Sequence, residues 1–199
     1  QATTALACLA LVEPAATRAD AQAALARGVR SLLDAPPVRR ATGGTFYNVW
    51  THVYRLQCFA RLARAPERAG RSAAAIAEAA GREIEALLRL QGAEGGFGYY
   101  DFGWSLSRPS GHESTSFLTA AALVALHDAR VAGLAVPEQA ARDAFRCLER
   151  LRLPDGAYVY GTYAQFHPEA LYNRVKGSLG RSQPCNLALW LWQRPGAGR

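Results

Sequence analysis

One local pattern recurs along this chain and limits what it can fold into. The stretch LQGAEGGFGYY, from Leu90 to Tyr100, ends a helical run in a Gln, leaves a short polar gap, and then places a Gly pair before aromatics. Two other stretches follow the same order. One is VRSLLDAPPVRRATGGTFYNVWTHVYRLQCFARL; the other is CLERLRLPDGAYVYGTY, followed after a loop by SQPCNLALWLW. Each reads as a helix, a Gly turn, an aromatic (Phe46, Phe97, Tyr158) and another helix. The aromatics lie about 50 to 60 residues apart, a period that signals helical-hairpin repeats. Gly43 with Gly44, Gly95 with Gly96, and Gly156 permit backbone conformations closed to other residues. The aromatic that follows can fold back under the hairpin and cap its apolar seam. A single hairpin cannot bury its own face, so copies must stack.

Apolar residues recur at helical spacing in seven places. The predicted helices run from about Thr3 to Glu13, Arg18 to Leu33, Tyr47 to Ala65, Arg71 to Leu90, Ser114 to Val131, Pro137 to Leu151 and Pro184 to Gln193. Pro14 closes the first, and Pro137 suits a first helical turn, where its missing N–H costs nothing. Strand signals are sparse: AYVYGTY alternates aromatic and small residues and allows at most a two-stranded ribbon. The fold class is all-α. With 199 residues, 50% hydrophobic and 20% charged, residues 1–199 make one domain with a sizeable core.

Arranged this way, the chain resembles the squalene-cyclase and protein-prenyltransferase repeat superfamily. The repeat in that superfamily ends in a Gln, a short gap, then Gly-x-Trp. Leu87, Gln91, Gly95 and Phe97 fall on the pattern, with Phe in place of Trp. A further copy supplies Leu148, Gly156 and Tyr158 but has Arg152 where Gln is expected, and the first copy keeps only the Gly and Phe46. The resemblance spans about Val29 to Trp192. It implies an α/α-toroid of antiparallel inner and outer helices around a central cavity. Because full members have about twice as many helices, this chain would form an arc, a small or open toroid, or a fragment.

The chemistry of that superfamily does not transfer readily. Its cyclases need an aspartic acid kept protonated by neighbouring carboxyls, yet Asp20, Asp34, Asp101, Asp128, Asp143 and Asp155 are scattered. Its prenyltransferases hold zinc with Asp, Cys and His. His112 lies near the expected His but about two residues out of register, with no Asp-x-Cys pattern, so no metal site is expected. Asp101 and Glu113 flank one long loop and could act as the paired carboxylates of a glycosidase; loop acids are more often surface residues. His52, on a helix with Trp50, Tyr54 and Gln57, reads as a packing histidine.

Two loops stand out. Residues 95–114 carry Phe97, Tyr99, Tyr100, Asp101, Phe102, Trp104, Arg108, His112 and Glu113. At about 20 residues, a loop of this length is functional or disordered, and its aromatic content argues against disorder. Residues 156–181 carry Tyr158, Tyr160, Tyr163, His167, Tyr172, Asn173, Arg174, Lys176 and Arg181. If the copies stack in register, both loops emerge at one end. The candidate ligand or partner surface is therefore Tyr99, Tyr100, Asp101, Trp104, His112, Glu113, Tyr158 and Tyr160. The competing reading is that these aromatics only plug the stack end. In KGSLGRSQPCNLALW, Lys176 and Arg181 beside backbone N–H groups before a helix start could hold an anion. The plainer reading is a cap by Ser182 with Pro184 in the first turn.

Composition adds limits. The net charge is +7, from 23 Lys+Arg against 16 Asp+Glu, but the basic residues form no stripe interleaved with aromatics, which speaks against nucleic acid. Peripheral contact with an anionic membrane remains open, and no apolar run reaches the roughly 18 residues of a span. Cys8, Cys58, Cys147 and Cys185 form no CxxC pair and read as core thiols, with disulfides left open. The chain starts at Gln1 and has no Met, so missing upstream sequence is expected. TALACLALVEPAATRADA resembles the end of an export signal, but an ordinary helix fits it better. Cytoplasmic and exported locations are not distinguished. The favoured function is a noncatalytic repeat module binding a protein partner or small apolar ligand, without a cofactor. The alternative is a cyclase- or prenyltransferase-like enzyme with atypical or missing catalytic residues.

Overall fold

A computed structural model describes residues 1–38, 48–99, 114–167 and 169–194. Among these residues the regular structure is helical: α1 (Ala2–Leu11), α2 (Ala19–Leu33), α3 (Asn48–Ala63), α4 (Ala73–Arg89), α5 (Ser116–Val131), α6 (Glu138–Arg150) and α7 (Val175–Leu191), with short 3-10 turns between them. The boundaries follow local chemistry. Pro14 opens a 3-10 turn just past α1. Asp20 sits in the first turn of α2 and Arg30 in its last, each on the side the helix dipole favours. The Ser72 hydroxyl accepts a hydrogen bond from the Ala75 N–H at 3.2 Å and caps α4.

One expectation needs correction. The last helix starts at Val175, not near Pro184, so Gly177, Gly180, Ser182 and Pro184 lie inside it. Intrinsic propensity opposes this by about 1 kcal/mol per Gly and about 3 for the Pro. Burial wins: Ser178, Cys185, Ala188 and Leu189 are buried on a helix packed against α5. The Ser182 hydroxyl, expected to cap, donates instead to the Ser178 carbonyl one turn back, at 2.9 Å. The helix start expected near Pro184 is therefore displaced to Val175, and Arg181 lies within the helix. AYVYGTY stays within the ribbon allowed for it: the described residues hold only isolated bridges, among them Arg152 with Tyr158 and Thr115 with Gly161.

Contacts between helices follow the chain: α1 touches α3, α3 touches α5, and α5 touches α7, while α2 packs on α1, α4 on α3 and α6 on α5. The even-numbered helices feed the core through Leu25, Val29 and Leu32 from α2, Ile76, Ala80 and Leu87 from α4, and Ala144, Phe145 and Leu148 from α6. Each large aliphatic so buried contributes about 1.5 to 3 kcal/mol. Helix α5 has neighbours on three sides, and its sequence shows it: Leu118, Ala120, Ala122, Leu123, Ala125, Leu126 and Ala129 are all fully buried. A helix apolar nearly all round belongs in an interior.

The turns after α4 and α6 are built alike. The Gly92 N–H donates to Gly96 O at 2.8 Å and Gly95 N–H to Gly92 O at 2.9 Å; the Leu153 N–H donates to Ala157 O at 2.8 Å and Gly156 N–H to Leu153 O at 2.9 Å. Gly95 (φ 92) and Gly156 (φ 85) occupy the left-handed region. Phe97 and Tyr158 follow as fully buried rings. Gln91 closes its own turn through Gly95 O at 2.7 Å and joins it to α6 through Ala140 O at 2.8 Å. Glu94 joins the two turn regions, accepting from Ser114 N–H at 3.1 Å and the Thr162 hydroxyl at 2.9 Å. The first expected turn, Gly43, Gly44 and Phe46, lies outside the described residues.

His52 packs rather than opening to a cavity. Its Nδ1 lies 2.8 Å from Glu83 Oε2, and Arg55 pairs with Glu83 Oε1 at 2.8 Å, all three side chains being largely buried between α3 and α4. Arg55 also reaches Gln1. Removing one member of such a set strands its partners. Glu83→Gln is expected to lower unfolding stability by about 1 to 3 kcal/mol, read by urea denaturation; an unchanged midpoint would show the cluster to be dispensable.

Candidate functional site

Along α3, α5 and α7 runs a cleft of about 590 Å³. Each helix contributes residues one turn apart, which places them on one helical face: Trp50, Tyr54 and Gln57 from α3; Phe117, Ala121 and Val124 from α5; Gly180, Arg181, Pro184 and Leu187 from α7. Tyr99 and Tyr160, from the two similar turns, complete the lining.

The aromatic side chains touch one another. Trp50 stacks with Tyr54 at 5.3 Å between ring centroids and with Phe117 at 6.4 Å, with interplanar angles of 18° and 21°. Phe117 meets Tyr160 edge-on at 5.1 Å and Tyr99 at 5.6 Å. The hydroxyls of Tyr99 and Tyr160 are 2.5 Å apart and 61 residues apart in sequence. Rings held in this way are fixed before anything binds, which reduces the ordering cost of association. Burial pushes the Tyr54 phenol above its ordinary value.

Arg181 is the charged residue of this lining. Its Nε donates to Tyr158 O at 2.7 Å, and its guanidinium carbon lies 5.7 Å from the Tyr160 ring centroid. Burial lowers its pKa. The described lining contains no carboxylate. Its chemistry is that of apolar contact, ring stacking and a few hydrogen bonds.

The expected site residues divide. Tyr99 and Tyr160 come together in the cleft. Tyr158 does not: it is 0% exposed and belongs to the core, because the turn after Gly156 folds it under the helix pair. Arg181 lines the cleft from within α7, while the Lys176 side chain lies outside what the structure describes. Tyr100, Asp101, Trp104, His112 and Glu113 also lie outside the described residues. Sequence reasoning missed Phe117, Leu187 and the joining of Trp50 with Tyr54 in this wall. The available signal was a second apolar stripe, with members three or four residues apart, on helices already assigned to the core.

Other reactive groups are accounted for by packing. All four cysteines are free and buried. Cys8 and Cys58 hydrogen-bond each other, which draws the Cys8 thiol below its ordinary value and pushes Cys58 up. Burial pushes Cys147 up to about 11 and raises Cys185 further, so neither is a nucleophile near neutral pH. Among the described residues no three His, Cys, Asp or Glu side chains group as metal ligands, and no helix is long and apolar enough to cross a membrane. Set against family models, curated proteins and solved structures, the chain has no match in any of the three comparisons.

Proposed function

We propose that the chain is a noncatalytic helical-hairpin repeat module whose aromatic cleft binds a small apolar ligand. The observation that carries this reading is the cleft itself: about 590 Å³, within the roughly 300 to 1,000 Å³ of small-molecule sites, with a pre-formed aromatic wall. Of the two occupants that the aromatic loops suggested, a protein partner or a small apolar ligand, that size favours the small ligand. For the scaffold we propose an arc of an α/α-toroid like that of the squalene-cyclase and protein-prenyltransferase superfamily. In support are the successive contacts α1–α3, α3–α5 and α5–α7 with α2 on α1, α4 on α3 and α6 on α5, and the two similar turns that set Tyr99 and Tyr160 61 residues apart.

The test uses a neutral apolar dye. Nile red is expected to bind with one-to-one stoichiometry and a rise in fluorescence. Leu187 lines the cleft yet is 45% exposed, so Leu187→Glu should keep stability within about 0.5 kcal/mol. It should weaken dye binding about tenfold by placing a carboxylate on the apolar wall. Equal dye binding by both proteins would remove the cleft as the site.

A further inference from the structure

The cleft differs along its length. Trp50 and Phe117 lie in the first turns of α3 and α5, and Phe117 touches Tyr99 and Tyr160 there. Arg181 stands beside these rings, with its guanidinium carbon over Tyr160. It is partly exposed, and its Nε is tied at 2.7 Å to the carbonyl of Tyr158, a fully buried residue. Beyond the rings the lining turns aliphatic: Ala121 and Val124 follow Phe117 on α5, and Leu187 follows Arg181 on α7. At 1.5 Å per residue, Val124 stands about 10 Å along α5 from Phe117. The cleft thus has a fixed cation among its rings and a hydrocarbon wall leading away from them.

That cation decides the charge of what fits. Burial disfavours the Arg181 charge; the described groups that act the other way are the Cys185 thiol and the Tyr160 and Tyr163 phenols, with no carboxylate among them. An anion in the cleft would stabilise the guanidinium, the more so because apolar walls strengthen a charge pair. The same field repels an ammonium. Aromatic faces disfavour an anion, but the guanidinium stands over the Tyr160 ring and screens the face nearest the head. The one formal charge of the described lining balances one negative charge. A phosphate monoester carries about two, and the excess would be left among apolar groups. A carboxylate is also the flat acceptor that a guanidinium fork fits. Resting on the cleft reading above, we infer that the apolar ligand ends in a single carboxylate, which pairs with Arg181 while its hydrocarbon body lies along Phe117, Ala121 and Val124.

Calorimetric titration with four probes of one skeleton tests this: naphthalene, 2-naphthoate, 2-naphthyl phosphate and 2-naphthylmethylammonium. The wild-type chain is expected to bind 2-naphthoate about tenfold more tightly than naphthalene, the span of one charge-assisted hydrogen bond, and the phosphate and ammonium probes more weakly than 2-naphthoate. 2-Naphthoate should also displace Nile red, which places it in the cleft. Arg181→Gln should bring the naphthoate-to-naphthalene ratio below about twofold, and Arg181→Lys, which keeps the charge, should hold it several-fold above one. Because Arg181 also ties α7 to Tyr158, a measurement on the wild-type chain stands beside the variants: its preference for 2-naphthoate should shrink as salt rises from about 0.01 to 1 M. No preference for 2-naphthoate, a preference that survives Arg181→Gln or ignores salt, tighter binding of the phosphate or ammonium probe, or 2-naphthoate that leaves Nile red in place would each overturn the inference while leaving the cleft as an apolar site. Failure of Nile red and of every probe to bind would overturn both readings.

Discussion

Tyr158→Ala is expected to lower the free energy of unfolding by about 3 to 5 kcal/mol, the range for emptying a large aromatic site in a core. Tyr158 is among the largest fully buried side chains. Its ring enters the core cluster together with Leu148 and Cys185, so its removal leaves a cavity that α6 and α7 cannot collapse to fill. The hydroxyl behaves differently. It is buried with no hydrogen-bond partner among the described residues, and burial pushes its pKa up to about 12. Tyr158→Phe should therefore hold stability within about 1 kcal/mol or raise it, since it deletes an unsatisfied polar group. Paired urea melts decide the matter. A small loss in the alanine variant would return Tyr158 to the surface role that its sequence context suggested.

Gly95→Ala should be comparably damaging for a backbone reason. Gly95 has φ 92, and a Cβ there would lie 2.7 Å from the Asp143 carbonyl carbon in α6. The dihedral alone costs about 1 to 3 kcal/mol for a non-glycine residue, and forcing the turn away from α6 adds about 1 to 3 more. Gly70 is the internal control: its φ of 60 is also left-handed, but nothing lies within 4 Å of a Cβ there. Gly70→Ala should cost only about 1 kcal/mol. Similar midpoints for the two variants, by thermal or urea unfolding, would show that the close approach of the α4 turn to α6 carries no weight.

Helix positions were legible because each helix has a strongly apolar face, and periodicity reports faces well. Helix α4, for example, places Ile76, Ala80, Ile84 and Leu87 on one side, all buried. The start of α7 was illegible because Gly177, Gly180 and Pro184 are local stop signals, whereas what holds them in a helix is contact with α5, about 60 residues earlier in the chain. Tyr158 and Tyr160 show the same limit on a smaller scale. Alternation treats them as equivalent, but one enters the core and the other lines the cleft, and that difference depends on where α5 and α7 pass. The cleft combines three helices separated by long connections. Its members are individually unremarkable: a Trp, a Phe and a Leu at helical spacing are more often core than site.

The pattern of contacts between helices also governs how the chain can reach its native state. Each major packing partnership joins helices that are consecutive or next-but-one along the chain: α1 with α2 and α3, α3 with α4 and α5, α5 with α6 and α7. No helix must wait for a distant segment before it finds its main neighbour. The entropy cost of closing the connections between helices grows only slowly with length. Order can spread from whichever neighbouring helices associate first, so the aromatic wall shared by α3, α5 and α7 is completed only when the last of these helices docks.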